Sequence, residues 1–547
     1  MKRDKNEAKY VFLLIGILTF HLINNFLWLK IDKTLLADDP FWHHLCSHYI
    51  YSLLKNGEFF LHPLKCIGSI SEYAHQYGIF VQLICAPFYF ISGIGQDRAV
   101  MVNAGIFLST LIFSVYGITK RLANSRSGIL AAFVISMYPI IFNHSRMFML
   151  DLPLAALVSL SIYLLIRYDL FRKGRYTFLL VLLLGLLIKI NFILFIITPL
   201  LIILIKGALN FRRKAEIFLF LALAFIPFYF IKRREIFEWL GGNLHLFNLS
   251  KWSESLPDIF SYLLRLIDNG LSFLLAITFG IGIRYFIKSN IKEKNLLLSS
   301  LILPLLILVS FAHYRDAFDM VRYSMPLLVF STIITGIGLT NMRPVIFRRF
   351  SISLVVIFSF IQFFAVSWGI NYLPAEISIQ KNSFHFSLFK QNLHIPPARN
   401  RFSHPTRICW DANQLWDKIE ETKDIKSKFI TVVVLDPLCE IFYPLCYRAI
   451  VEEMPVNVIT VEMTAPNNKG YLRNFTLSGC VLDADYIIAT NRPNGVYLAP
   501  DYIDSEKKEA EDVFYRNIQN FSLIEKFNLP NKVEVFLYKN LRLEKQK

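Results

Sequence analysis

Residues 10–29, "YVFLLIGILTFHLINNFLWL", follow the charged "MKRDKNEAK" and decide the class of the protein. An apolar run of about 20 residues is long enough to cross the ~30 Å hydrocarbon core as a helix. It is too long for the apolar region of a signal peptide, and no small-residue cleavage site follows it, so it reads as a retained first span. Directly after it comes "LLADDPFWHHLCSHYI", residues 35–50. Two adjacent carboxylates, Asp38 and Asp39, and three histidines, His43, His44 and His48, thus stand at the edge of a hydrophobic segment.

The rest of the chain has the same character. Of 547 residues, 54% are hydrophobic and 18% charged, with 50 phenylalanines, and the mean hydropathy is +0.45. A soluble domain carries about 45–50% apolar and about 25% charged residues. The net charge of +17 does not point to nucleic acid, because the basic residues gather in short loops between apolar runs, as topology signals do. These clusters are "MKRDKNEAK" at the start, "KRLANSR" at 120–126, "RYDLFRKGR" at 167–175, "KGALNFRRK" at 206–214, "KSNIKEK" at 288–294 and "NMRPVIFRR" at 341–349. Placing them on the cytoplasmic side predicts a polytopic α-helical membrane protein of about eleven spans. The pattern closes if "YGIFVQLICAPFYFISGIG" at 77–95, with Gln82 and Pro87, is an interfacial or re-entrant helix rather than a span. A better span follows at 99–119. The opposite face then carries 31–97, 143–151, 189–192, 233–256, 313–323 and everything after 371. The basic, aromatic loop 233–256 breaks the pattern and suits a membrane surface with anionic lipid phosphates.

Residues 372–547 differ in composition from the transmembrane domain 1–371. Short β-branched runs at 429–436, 456–462, 486–491 and 532–538 alternate with polar helical segments such as "DSEKKEAEDVFYRNIQNF" (504–521). This predicts a soluble C-terminal α/β domain on the extracytoplasmic side. Cys409, Cys439, Cys446 and Cys480 lie in it, and Cys46 and Cys66 share the first outer loop (31–97). Even counts in outward segments suit disulfides in an oxidising compartment; free thiols are the alternative.

On this topology the ionisable residues near the outer boundary come from several separate loops. They are Asp38, Asp39, His43, His44 and His48; Glu72 and His75; Arg146 and Asp151 in "NHSRMFMLDLP"; Lys189 at the end of "FLLVLLLGLLIKIN"; and His313, Arg315, Asp316, Asp319, Arg322 and Tyr323 in "AHYRDAFDMVRYSMP". Charges beside apolar core are costly and tend to mark function. Mixed acids and bases suit a site that takes a proton from one reactant and holds the phosphate of another. Bland readings stand beside this one: a helix cap for Asp38 and Asp39, and snorkelling for Arg322 and Lys189.

These segments resemble, in order and spacing over residues 1–370, the polyprenyl-phosphate-sugar-dependent glycosyltransferases of the GT-C superfamily, in particular the protein O-mannosyltransferase and lipid A aminoarabinose transferase group. The likeness rests on the acid pair Asp38-Asp39 after the first helix, "SRMFMLDLPLAALVSLSIYLL" at 145–165, "GLLIKIN" with Lys189, and Arg322, Tyr323 and Pro326 at the start of a late helix. The second acid is Asp39 where the group has Glu, and "EYAHQYG" stands where the group has a proline pair.

The resemblance implies transfer of a sugar from a polyprenyl-phosphate donor to a hydroxyl of a lipid, glycan or protein acceptor on the extracytoplasmic face, with inversion. Asp38 is the expected general base, with Asp39 and Asp151 orienting the acceptor or holding a metal. Arg322, Lys189, Arg146 and Tyr323 are the expected donor-phosphate group, since Arg binds phosphate bidentately. His43, His44, His48, Glu72 and His75 are acceptor or metal candidates; His44 and His48 share a helix face, but no HExxH accompanies them. No cofactor is required, although a divalent metal remains an option. Membrane lipids are the other expected partners, and a bacterial inner membrane is the expected location. The rival functions are a transporter or flippase of a lipid-linked saccharide, a non-catalytic scaffold, and an oligosaccharide transferase or ligase. Midplane charges or repeated halves would mark a transporter, and neither is visible.

Overall fold

The computed structural model describes residues 7–32, 38–74, 77–167, 174–206, 262–311, 321–369, 413–423, 430–435, 456–460, 477–491, 501–529 and 533–542, with scattered positions between 215 and 233. Two compact units emerge. One comprises Met1–Ile31, Trp42–His394 and Arg401–Pro405; the other comprises Asp32–Phe41, Ile395–Asn400 and Thr406–Lys547.

The first unit is helical. Among the described residues, the helices Glu7–Ile31, Gln96–Leu122 and Val345–Trp368 are long and apolar enough to cross a membrane. Tyr262–Asp268 and Phe273–Ile287, bent by 99° at a break, could form a fourth crossing. Shorter apolar helices include Ser125–Met137, Phe192–Ile202 and Met325–Thr340. The expected total of about eleven rests on these shorter helices and on stretches outside the described residues. Phe80–Ser92 forms a helix of 13 residues with Pro87 inside it; at 1.5 Å per residue it spans about 20 Å, short of a bilayer core.

The helix Met325–Thr340 is buried along its length, from Met325 to Leu339. Pro326 fits its first turn, where a missing N–H costs nothing. Its neighbours approach so closely because glycine faces them. A methyl at Gly338 would lie 2.0 Å from the Gly282 carbonyl oxygen of Phe273–Ile287, and one at Gly336 would lie 2.8 Å from the Ser127 carbonyl oxygen of Ser125–Met137. Small residues at such contacts are how helices pack where no hydrophobic effect drives them together. Ser127 and Thr340 hydroxyls also share a hydrogen bond of 2.6 Å across that contact. Asn124 caps the Ser125–Met137 helix, its Oδ1 accepting from the Ser127 amide at 3.0 Å.

Cys46 and Cys66 are buried thiols rather than a disulfide. Both pack in an apolar cluster with Ile50, Ile70 and Ile79, where they behave as small hydrophobes. Cys480 is likewise a buried thiol; Cys409, Cys439 and Cys446 lie outside the described residues.

The second unit holds a five-stranded sheet in the order β2-β1-β3-β5-β4. The strands are β1 (Ile430–Val434), β2 (Val456–Thr460), β3 (Tyr486–Thr490), β4 (Phe521–Asn528) and β5 (Glu534–Asn540). β1 is parallel to β2 and β3, whereas β5 is antiparallel to β3 and β4. β4 was not expected from the sequence. The helix predicted to run to 521 ends at Arg516, and after a short 3-10 turn the chain enters β4 at Phe521. Polar alternation in "FSLIEKFN" reads as a helix face or an edge strand equally well. Its position at the sheet edge explains the polarity. Phe514 and Phe521 bind helix and strand together, packing with Val433, Ile487 and Ala510.

Replacing Gly338 with Ala should lower stability by about 1–3 kcal/mol through overpacking, because the added carbon meets backbone rather than a movable side chain. Gly16→Ala, with nothing within 4 Å of the new carbon and a mid-helix position that favours Ala over Gly, should not lower the melting temperature. Thermal melts of both variants in detergent check this.

Candidate active site

Asp151 is the first residue of the helix Asp151–Arg167 and is fully buried. A carboxylate in a first turn is favoured by the positive end of the helix dipole. The turn leading into it is held from outside, since Asn103 Nδ2 donates to the carbonyls of Met147 (3.3 Å) and Met149 (3.4 Å).

Lys189 arrives from a different turn, between Arg175–Leu186 and Phe192–Lys206. Backbone hydrogen bonds dock that turn. The Gly78 amide donates to Ile188 O and the Phe80 amide to Leu187 O, both at 3.1 Å. A methyl at Gly78 would lie 1.9 Å from the Leu187 oxygen, so only glycine permits this approach. Gly185 likewise makes room for the Phe192 ring, 2.4 Å from where its side chain would begin.

The two turns bring Lys189 Nζ to 2.9 Å from Asp151 Oδ1, with the lysine side chain 11% exposed and the aspartate side chain 0% exposed. Asp151 Oδ2 is buried and has no hydrogen-bond partner among the described residues. Lys189 Nζ also stands 4.3 Å from the Tyr323 ring centroid, and the Arg322 guanidinium carbon 5.2 Å from the same centroid. Arg322 Nη2 donates to the Tyr323 hydroxyl at 3.3 Å. Lys189, Arg322 and His144 all act electrostatically on Asp151. Among the described residues the group brings together two cations and one carboxylate, a chemistry suited to an anion such as a phosphate, with the Tyr323 face supporting both cations.

Arg146 lies apart from this group. Fully buried, it donates from Nε to Asn25 Oδ1 at 3.2 Å and from Nη2 to Ser367 Oγ at 2.8 Å. Its guanidinium carbon lies between the rings of Trp28, Phe142 and Phe363, at 5.3, 5.6 and 5.5 Å. It ties the first and last of the long described helices to the turn before Asp151.

The histidines pack into the Phe80–Ser92 helix. His43 Nδ1 lies 3.1 Å from Gln82 Nε2, and its ring meets Tyr77 edge-on at 4.8 Å. His44 Nδ1 lies 2.9 Å from the Tyr89 hydroxyl. Burial, with a smaller contribution from His48, lowers the His44 pKa to about 3, so the ring is neutral. His48 is buried beside Tyr51. Among the described residues no three His, Cys, Asp or Glu side chains gather as a metal site.

Asp38 and Asp39 open the helix Asp38–Lys55. They fall with the second unit, which takes in Asp32–Phe41. The side chains of Asp38 and Glu72, all of His75, and His313, Arg315, Asp316 and Asp319 lie outside the described residues. Sequence reasoning passed over His144, Asn103 and Gly78. "NHSR" carries His144 seven residues before Asp151, but one helix ends at His144 and the next begins at Asp151, so the spacing carries no helical signal. Gly78 has no local signal, because its role is a contact with a distant turn.

The sequence model of the dolichyl-phosphate-mannose-protein mannosyltransferase family matches residues 77–231. That stretch contains Gly78, Asp151 and Lys189. No curated protein matches the sequence. Among solved structures, ArnT from Cupriavidus metallidurans in the apo state superposes with a TM-score of 0.57 at 10% identity, over 97% of this chain and 98% of that one. The same protein bound to undecaprenyl phosphate gives 0.56 at 11% identity, again over 97% and 98%. The Archaeoglobus fulgidus oligosaccharyltransferase tethered to an acceptor peptide gives 0.49 at 13% identity, over 98% of this chain and 74% of that one. The chain is mostly helical, similar to GT-C membrane enzymes, and ends in a sheet-containing region.

Removing one partner of a buried ion pair strands the other, at a cost of about 3–5 kcal/mol. Lys189→Met should therefore lower the melting temperature markedly. The double variant Asp151→Asn with Lys189→Met should recover most of that loss without recovering activity. Melts and turnover measured on the three proteins test the pair.

Proposed function

We propose that the protein is a membrane glycosyltransferase that moves a sugar from a polyprenyl phosphate to an acceptor hydroxyl, with inversion. The observation that carries this reading is the buried Asp151–Lys189 pair beside Tyr323 and Arg322, in a chain whose fold is shared with ArnT. The crystal structure of ArnT bound to undecaprenyl phosphate supports a lipid phosphate as the donor carrier here.

In this reading Lys189 and Arg322 hold the donor phosphate and take up the charge that grows on it as it leaves. The acceptor oxygen forms a bond to the anomeric carbon from the face opposite the phosphate. The bond from that carbon to the phosphate oxygen breaks, and its electron pair stays on the lipid phosphate. Asp38 takes the hydroxyl proton. Asp39 and Asp151 orient the acceptor, the open Oδ2 of Asp151 being a suitable acceptor for a hydroxyl hydrogen bond. Tyr323 fixes the two cations between turnovers. The reaction takes place on the extracytoplasmic face of a bacterial inner membrane and requires no metal.

The test is transfer in proteoliposomes charged with radiolabelled polyprenyl-phosphate sugars and total membrane extract, with and without EDTA. Wild type should transfer label in both conditions. Asp38→Asn and Arg322→Gln should each lose at least a hundredfold while keeping the wild-type melt, consistent with typical losses of a general base or a charge-stabilising group. Full activity in Asp38→Asn would remove the base assignment. Uptake of label across the bilayer without transfer would turn the reading to a flippase.

A further inference from the structure

A second site lies at the basic end of the helical unit. The helices Glu7–Ile31, Ser125–Met137 and Val345–Trp368 enclose a cleft of about 1000 Å³. Its walls are apolar, formed among others by Phe12, Ile17, Leu130, Phe133 and Phe360, and its mouth carries Arg126, Arg348 and Arg349. The lining includes no acidic residue. Arg348 is oriented by donating from Nη1 to Thr340 O at 3.3 Å. Arg126 and Arg349 are exposed and form no ion pair among the described residues, whereas Lys120 on a neighbouring helix is already paired with Glu7.

The dimensions of the cleft match one leaflet. Tyr10 to Phe20, Arg126 to Met137 and Arg349 to Phe360 each rise about 15–17 Å at 1.5 Å per residue, close to half of a ~30 Å hydrocarbon core. All three helices begin at the arginine end, so their positive dipole ends add to the field there. The arginines belong to the basic clusters that mark the cytoplasmic side in the sequence reading.

We propose that this cleft holds an anionic glycerophospholipid of the basic-side leaflet. Its acyl chain lies along Phe12, Ile17 and Phe133, and its phosphate sits among Arg126, Arg348 and Arg349. Basic pockets between membrane helices are suited to such headgroups, and guanidinium groups suit phosphate. The site is formed by none of the residues grouped around Asp151.

The experiment uses the full chain in phosphatidylcholine nanodiscs doped with phosphatidylglycerol. Native mass spectrometry after gentle release counts retained lipid. Wild type should retain phosphatidylglycerol in preference to phosphatidylcholine. The triple variant Arg126→Gln, Arg348→Gln, Arg349→Gln should lose that retention at least tenfold. Gly16→Phe should lose it as well, because a side chain at Gly16 points into open space in the cleft. Equal retention of the two lipids by wild type, or undiminished phosphatidylglycerol in either variant, would overturn the proposal. So would displacement of phosphatidylglycerol by equimolar undecaprenyl phosphate, which would assign the cleft to the isoprenoid carrier instead.

Discussion

The helix Met325–Thr340 can be enclosed by neighbours only because Gly336 and Gly338 turn no side chain toward them. In lipid, apolar contact brings no advantage over contact with acyl chains, so helices associate through close van der Waals approach and a few hydrogen bonds. The carbonyl of Gly282 therefore occupies the place of a side chain at Gly338. Arg322 and Tyr323 lie just before the start of this helix. The same device recurs at Gly78, where backbone meets backbone and places Lys189.

The result is a charged group inside a membrane protein. A lone buried carboxylate would be very costly, and the attraction to Lys189 offsets that only at short range and in fixed geometry. Both conditions hold for Asp151 and Lys189 at 2.9 Å. The helix dipole, Arg322 and His144 add to the field at the same carboxylate.

Two arginines from the same sequence reading separate here by their surroundings. Arg146 meets aromatic faces and neutral oxygens and joins helices distant in sequence. Arg322 shares the Tyr323 ring with Lys189 and stands beside the carboxylate. The three histidines divide from the acids in the same manner. His43 and His44 stand within hydrogen-bond distance of Gln82 and Tyr89.

Apolar run length, the basic loops and the β-branched runs near the end made the membrane class and the C-terminal sheet legible, because each is a local property of composition and period. Asp151 and Lys189 were also legible as residue types placed beside apolar helices. Their pairing was not, since it depends on two turns 38 residues apart meeting through Gly78. The roles of Arg146 and His144 were equally out of reach, because the same side chain can tie helices or tune a carboxylate according to what packs against it. β4 escaped notice because an edge strand wears the polarity of a surface helix. What the sequence alone determined was the solvent each segment prefers, bilayer or water. Only the tertiary structure decided which charges share a site, because that follows from how closely backbones can approach at particular glycines.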